Sequence, residues 1–361
     1  MAGVPFTIGK AAKALARGPF LAHARATGKV VKPLFIDFAV TWRCNARCAM
    51  CDTWQTYKDP ETAPGDELTL EETRTIFSRD AGFLSNLEKI GLTGGEPFLR
   101  QDIVEIVRIL HGRFPNARMS LVSNGLLTGR ILNRLAEIKK FFPGLVFSVS
   151  LDGLGQVHDR VRGVPGAFEK AISTMQGALD LGFTVTSGAT ISKVNHDQIL
   201  PLSEKLAGMG VDFSCNLTES GENFHNQDMD LELSEEQKGR IAADLSRFGH
   251  HYYMDQVRRQ LMGEKRTLPC YAGQTSYFLT PTGDVTLCNI LGEPLGNLKK
   301  LSFLEIAHGA AAAEARTRVP GCTCWSQCEV KNSASSAPWH LAKWWLKSPH
   351  KGRFLRRYFK G

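Results

Sequence analysis

Short β-branched and aromatic runs alternate with amphipathic stretches over the first two-thirds of the chain. Residues 34–40, 88–93, 118–123, 145–151, 183–191 and 211–217 read as strands, because apolar residues there alternate or run together over six to nine positions. Between them, 70–80, 102–113, 129–140, 166–181 and 197–208 carry helical periodicity. Thr69 and Glu72 form a capping box before the first of these helices. Strands alternating with helices predict repeated βα units around a parallel sheet. A longer helical pattern spans 235–262, opened by a second capping box at Ser234 and Gln237. Near residue 265 the pattern changes. Apolar runs at 277–280 and 284–288 flank Pro281-Thr282-Gly283, which predicts a hairpin. A helix over 302–317 and a cysteine-rich loop over 321–328 follow, and the small polar stretch 332–337 reads as a linker to a Trp-rich tail.

Composition narrows the classes. Of 361 residues 43% are hydrophobic and 22% charged, which excludes wholesale disorder and allows a sizeable core. No run approaches the ~20 apolar residues of a membrane-spanning helix. Lys10, Lys13 and Arg17 break up the amino terminus, which lacks signal-peptide form. Cysteines without secretory context are expected to be reduced, so the expected location is cytoplasmic. The net charge of +8 is unevenly placed: residues 1–36 hold six Lys or Arg and no acid, and residues 331–361 hold eight and none. The stretch between is therefore mildly acidic, which argues against nucleic acid as a partner.

Nine cysteines are clustered. Cys44, Cys48 and Cys51 follow the first strand with the spacing C-x3-C-x2-C. Three thiolates on one loop can converge on one centre. Structural zinc wants four ligands, and the nearest downstream histidine is His111. Three thiolates suit an iron–sulfur cube with one iron left open, while a zinc knuckle or free thiols remain alternatives. After the second strand comes Thr93-Gly94-Gly95-Glu96-Pro97. Glycines let a backbone approach a ligand, Pro97 has no N–H to satisfy, and Glu96 could accept from an ammonium. Alone, this tetrapeptide is also an ordinary strand-to-helix turn.

Together, Cys44, Cys48 and Cys51 after the first strand and Gly94, Gly95, Glu96 and Pro97 after the second resemble the radical S-adenosylmethionine (SAM) superfamily. The resemblance covers roughly residues 34–220. It implies an α/β fold, a partial (β/α)6 TIM-like barrel. It implies that the three cysteines hold a [4Fe–4S] cluster whose open iron chelates the amino and carboxylate groups of SAM, and that Gly94–Pro97 contacts the methionyl amino group. Ser123 and Asn124 at the end of the third strand fall where ribose and carboxylate contacts are expected. Ser150 and Asp152 end the fourth strand, Arg162 falls where an arginine reaches the SAM carboxylate, and Thr190 falls near the adenine. All follow carboxyl ends of strands, the side on which parallel sheets bind ligands. Trp42, Met50 and Trp54 are expected to pack around the cysteine loop.

Cys270 and Cys288 bracket the hairpin, and Cys322, Cys324 and Cys328 follow. A hairpin and a loop can each present two thiolates to one four-thiolate site, for zinc or for iron–sulfur. The pattern resembles the SPASM or shortened "twitch" extension, a small C-terminal β-hairpin/helix domain, which implies an auxiliary [4Fe–4S] cluster. Five thiolates suffice for one cluster, and Cys324 and Cys328 are the favoured second pair. Cys215 reads as a buried apolar residue. Glu219, Glu222, His225 and Tyr253 fall near the pocket by position, although structural roles explain them as simply.

The expected organisation is a basic amphipathic segment over 1–33, a radical SAM core over 34–230, a linking helix over 231–268, an auxiliary cluster domain over 269–330 and a basic tail over 331–361. Ile8, Ala12, Leu15 and Phe20 line one helical face, and the tail carries Trp339, Leu341, Trp344, Trp345, Leu346, Phe354, Leu355 and Tyr358 among basic residues. Basic Trp-bearing helices suit either a membrane surface, here the inner membrane, or packing on the body. The expected activity is reductive cleavage of SAM to a 5′-deoxyadenosyl radical. That radical takes a hydrogen atom from a small-molecule or lipid-linked substrate, with the auxiliary cluster assisting electron transfer and a flavodoxin or ferredoxin as reductant. Peptide modification, as in natural-product maturases, is the first alternative, and a non-enzymatic zinc or iron–sulfur binding protein the second.

Overall fold

The computed structural model describes residues 8–57, 65–248 and 251–347, with residues 8–13 by backbone alone. Six parallel strands, β1 (Phe35–Ala39), β2 (Lys89–Thr93), β3 (Arg118–Ser123), β4 (Val146–Ser150), β5 (Thr184–Ile191) and β6 (Asp212–Leu217), pair in chain order. Helices Leu70–Arg79, Ile103–Arg113, Thr128–Lys139, Ala167–Asp180 and Ile199–Gly208 connect them, each within two residues of its expected limits. The capping boxes at Thr69/Glu72 and Ser234/Gln237 both form.

Three further strands join the same sheet: β7 (Ser276–Leu279), β8 (Asp284–Thr286) and β9 (Gly296–Asn297). β7 and β8 are the expected hairpin. Unexpectedly, β7 lies parallel to β1, so the full order is β6-β5-β4-β3-β2-β1-β7-β8-β9. The hairpin therefore extends the edge of the six-stranded sheet at the strand that carries the first cysteine loop.

The two faces of the sheet differ. On one, Ile36, Phe38, Ile90, Leu92, Leu121, Phe147, Val149, Val185, Ala189, Phe213 and Cys215 are buried. Phe38 meets Phe77 of helix Leu70–Arg79 at 5.9 Å between ring centroids, so this is the outer, helix-covered face. On the other, the registered residues Ser120, Ser148, Thr186, Gly188 and Ser214 stay half-exposed in mid-strand. Small polar side chains at the centre of a sheet cannot fill an interior as branched residues do, so the inner face lines an open lumen.

Several expectations need correction. The pattern over 235–262 is two helices, Glu235–Ser246 and Tyr252–Leu261. That over 302–317 splits at Gly309 into Phe303–His308 and Ala310–Arg318. The supposed linker at 332–337 belongs to helix Gln327–Ser336, with Asn332, Ser333 and Ser336 buried. Its small residues allow close approach: Tyr271 N donates to Ser333 Oγ at 3.2 Å, and Thr275 and Ser336 hydroxyls lie 2.9 Å apart.

The first and last described helices pack on the body. Helix Ile8–Thr27 lies against Gln327–Ser336 and Pro338–Lys347. A Cβ on Gly18 would come within 2.4 Å of the Trp339 ring, so glycine admits the tryptophan. Arg17 pairs with Glu88 beside β2, and Arg25 Nε donates to Cys270 O at 2.7 Å. Trp344 is buried, edge-on to Tyr252 at 5.4 Å, and its indole donates to Asp255 at 2.8 Å. Leu15, Phe20 and Leu346 stay exposed. The side chains of Ile8 and Ala12, and Phe354, Leu355 and Tyr358, lie outside the described residues. Among the described residues no helix is long and apolar enough to cross a membrane. Trp344→Ala is expected to cost about 3–5 kcal/mol, the usual loss for a buried aromatic truncated to alanine. A thermal melt indistinguishable from that of the parent protein would contradict this docking.

Candidate active site and thiol clusters

The first cysteine loop is held in place by its neighbours' backbones. Gly95 N donates to Thr41 O and Glu96 N to Arg43 O, both at 2.7 Å. A Cβ on Gly94 would lie 2.2 Å from Thr41 O, and one on Gly95 2.1 Å from Arg43 O. Gly94 also takes φ +133°, a region closed to most side chains. The glycine pair thus serves the approach of the cysteine loop itself. From the other side, Arg47 N donates to Arg162 O at 2.9 Å and Ala49 N to Val161 O at 2.8 Å. Two buried charged residues that sequence reasoning passed over complete the brace. Glu67 accepts from Thr41 Oγ1 and Trp42 N, each at 2.8 Å. Arg100 donates to Val40 O and Leu68 O, each at 2.9 Å, while Asp102 grips its other edge.

Polar groups then converge on the three sulfurs. Asn124 Nδ2 donates toward Cys44 Sγ at 3.9 Å, Arg162 toward Cys48 Sγ at 3.6 Å, and Thr53 Oγ1 lies 3.1 Å from Cys51 Sγ. Arg162 is oriented by Asp152, whose Oδ2 lies 2.6 Å from its Nε. Asp152 Oδ1 accepts from Thr190 N at 2.8 Å, and Asp152 N donates to His158 Nδ1. Burial, with Arg162 close by, lowers His158 to about 4, so it acts as a neutral acceptor. Burial and the neighbouring Cys48 push Cys44 up to about 12, and burial also raises Cys48. Metal binding to such thiols expels their protons, and the donors around them suit the resulting negative sulfurs.

The other expected site residues surround this loop. Glu96 is fully buried, and its carboxylate accepts from Ser123 Oγ, Asn124 N and Phe98 N. It ties the end of β2 to the end of β3 and is turned into the protein. Burial raises it to about 7. Pro97 opens a 3-10 turn behind it. Ser150 faces the lumen at the end of β4. Trp42 stacks on Phe278, Trp54 takes Arg47 over its ring, and Met50 is buried.

A second thiol group sits between the hairpin and the C-terminal segment. Cys322 Sγ lies 3.4 Å from Cys324 Sγ. Hydrogen bonding to Cys270 and Cys324, helped by Arg266, favours the Cys322 thiolate. Cys288 faces Cys322 and receives Leu291 N at 3.5 Å. Arg266 donates to Cys324 O and lies over the Trp325 ring. Cys328 follows them at the start of helix Gln327–Ser336. Its charged neighbours are Asp37, Lys89, Lys331 and Glu329. Glu219 accepts from Trp325 N at 2.7 Å, Tyr253 donates to Trp325 O at 3.1 Å and Glu222 accepts from Gly292 N at 2.7 Å. His225 lies edge-on to Trp42. These four pocket candidates thus make structural contacts. Cys215 is buried on the outer face of β6. Among the described residues no three His, Cys, Asp or Glu side chains close on a point that a single ion could occupy.

Residues 39–206 match the radical SAM superfamily, and residues 270–329 match the iron-sulfur cluster-binding domain SPASM. The chain is a radical SAM superfamily enzyme with a C-terminal SPASM domain. It is 27% identical over 308 residues to the AdoMet-dependent heme synthase of Methanosarcina barkeri, covering 77% of this chain and 83% of that one. It is 23% identical over 307 residues to the sporulation killing factor maturation protein SkfB of Bacillus subtilis, covering 82% and 70%. In fold it is similar to Streptococcus suis SuiB bound to S-adenosylmethionine, with a TM-score of 0.61 at 14% identity, over 84% of this chain and 72% of that one.

Arg162→Gln is expected to retain iron while slowing reductive SAM cleavage about tenfold, the weight of one charged hydrogen bond. The reduction midpoint should move to more negative potential, because fewer positive donors then face the cluster sulfurs. An unchanged midpoint would remove Arg162 from this role.

Proposed function

We propose that this enzyme takes a hydrogen atom from a small-molecule substrate held in the hydroxyl-lined lumen. The observation that carries the reading is the position of the thiol loop at the carboxyl end of β1, above an inner face of Ser120, Ser148, Thr186 and Ser214. Cys44, Cys48 and Cys51 bind the first cluster. When bound, that cluster supplies the electron that splits SAM and yields the 5′-deoxyadenosyl radical. Arg162, Asn124 and Thr53 hold its sulfurs. Ser150 and Thr190 line the mouth where SAM lies, and the lumen positions the substrate and excludes bulk water, which such a radical requires. The hairpin and C-terminal cysteines bind an auxiliary [4Fe–4S] cluster that assists electron transfer. A flavodoxin or ferredoxin supplies the first electron. The likeness to a heme synthase supports a small-molecule substrate, and the likeness to SkfB supports peptide modification as the second reading.

The test is anaerobic reconstitution, an iron and sulfide count, and an assay for 5′-deoxyadenosine with a chemical reductant. About eight irons per chain, two four-iron cubes, together with SAM turnover are expected. Zinc in place of iron, with no cleavage of SAM, would sink the reading.

A further inference from the structure

Beside the second thiol group, buried donors stand without acceptors. Arg266 lies in the segment between helix Tyr252–Leu261 and Cys270. Its Nε donates to Leu268 O at 2.8 Å, and its Nη1 donates to Cys324 O and toward Cys324 Sγ at 3.9 Å. A guanidinium carries five N–H groups. Those contacts occupy three of them, and Nη2, which carries the other two, is buried without a hydrogen-bond partner among the described residues. The guanidinium lies over the Trp325 ring, 5.3 Å from its centroid. The ring attracts the charge but supplies neither a lone pair nor a counter-charge. The indole N–H of Trp325 is itself buried without a partner. Trp325 is nonetheless firmly placed. Its N donates to Glu219 Oε1 at 2.7 Å, and its O accepts from Tyr253 Oη at 3.1 Å.

A buried donor left unmade is expensive, most of all when it is charged. Native proteins therefore bring an acceptor to such a group. Nothing that Arg266 already bonds to is a carboxylate, so a negative acceptor suits it. Cys324 Sγ, at the same guanidinium, is 3.4 Å from Cys322 Sγ. The acceptor that fits thus adjoins the thiols. A four-iron cube held by four thiolates is negative overall, and its sulfurs accept hydrogen bonds.

We propose that Arg266 is a positioning residue for the auxiliary cluster: Nη2 donates to a sulfur of the cube, while Nε and Nη1 fix the guanidinium on the backbone at Leu268 and Cys324. The inference rests on the reading that Cys270, Cys288, Cys322 and Cys324 bind that cluster. Positive donors at cluster sulfurs favour the reduced, more negative state, so Arg266 raises the reduction potential above what the thiolates alone would set. Arg162 approaches Cys48 Sγ in the same way, so each thiol site has an arginine at one of its sulfurs.

The test is a redox titration of the reconstituted enzyme followed by electron paramagnetic resonance. SAM binds the first cluster and alters its signal, so the signal that SAM leaves unchanged reports the auxiliary cluster. In Arg266→Gln the midpoint of that signal is expected to fall by at least about 59 mV, a tenfold change for one electron and the usual weight of one charged hydrogen bond. Iron content and the SAM-sensitive midpoint should stay as in the parent enzyme. Arg266→Lys keeps the charge and should restore most of the midpoint. A further readout needs no variant: in enzyme labelled with heavy-nitrogen arginine, pulsed resonance of the SAM-insensitive signal should show coupling to an arginine nitrogen. An unchanged midpoint in Arg266→Gln, an equal fall in Arg266→Lys, or no arginine coupling in the parent enzyme would each overturn the proposal. If Arg266→Gln fails to fold or to hold iron, the coupling in the parent enzyme decides alone. Absence of any SAM-insensitive signal would remove the auxiliary-cluster reading and this inference with it, whereas that signal without arginine coupling removes this inference alone.

Discussion

Reconstituted Cys48→Ala protein is expected to lose about half of its iron, one four-iron cube of two, and all SAM cleavage above background. Cys48 is the middle thiol of the loop, and its sulfur is the one that Arg162 approaches, at 3.6 Å. Two remaining thiolates on one loop leave a cube short of protein ligands. The same substitution should hardly touch the fold. Flanking residues are held through backbone groups, Arg47 N to Arg162 O and Ala49 N to Val161 O, which alanine leaves in place. Glu67 and Arg100 brace the entry to the loop without involving Cys48. Iron content, 5′-deoxyadenosine and the melting curve therefore separate loss of ligation from loss of structure. A full iron complement with undiminished cleavage would show that Cys48 is not a ligand.

What the chain discloses depends on how local the physics is. The six parallel strands were legible because each buries its outer face in a short apolar run, as in Arg118–Ser123, and each is followed by a helical period. The three-cysteine loop was legible because its ligands lie within eight residues of one another. Pairings across long separations left no such mark. Nothing near Ser276–Leu279 announces that it will lie beside β1, some 240 residues earlier. The lumen is visible in the sequence only as Ser and Thr at alternate strand positions, which also describes a strand with a solvated face. Residues 332–337, which overlap the second half of helix Gln327–Ser336, read as a linker because Asn and Ser favour turns and caps over helix interiors. In place, those residues are what fits: Ser336 Oγ bonds back to Asn332 O, and Ser333 accepts from Tyr271 N. Glu67 lies 26 residues from the threonine it holds, so no motif captures it. Arg100 and Asp102, a charged pair two residues apart inside an apolar stretch, were the one available hint of the brace.

The second large effect divides the C-terminal cysteines. Cys324→Ala is expected to remove the auxiliary cluster, and Cys328→Ala to leave it in place. Spacing alone favoured both residues as ligands. Cys324 Sγ is 3.4 Å from Cys322 Sγ, Cys322 shares a hydrogen bond with Cys270, and Cys288 feels the charge of Cys322, so four thiols gather without Cys328. Four thiolates complete a [4Fe–4S] site. The charged groups acting on Cys328 are instead Asp37, Lys89, Lys331 and Glu329. Its alanine variant should therefore keep all of the iron, while Cys324→Ala keeps about half. The first cluster lies on a separate loop, so SAM cleavage should persist in Cys324→Ala even where substrate turnover fails. Iron loss in Cys328→Ala equal to that in Cys324→Ala would place Cys328 in the ligand set.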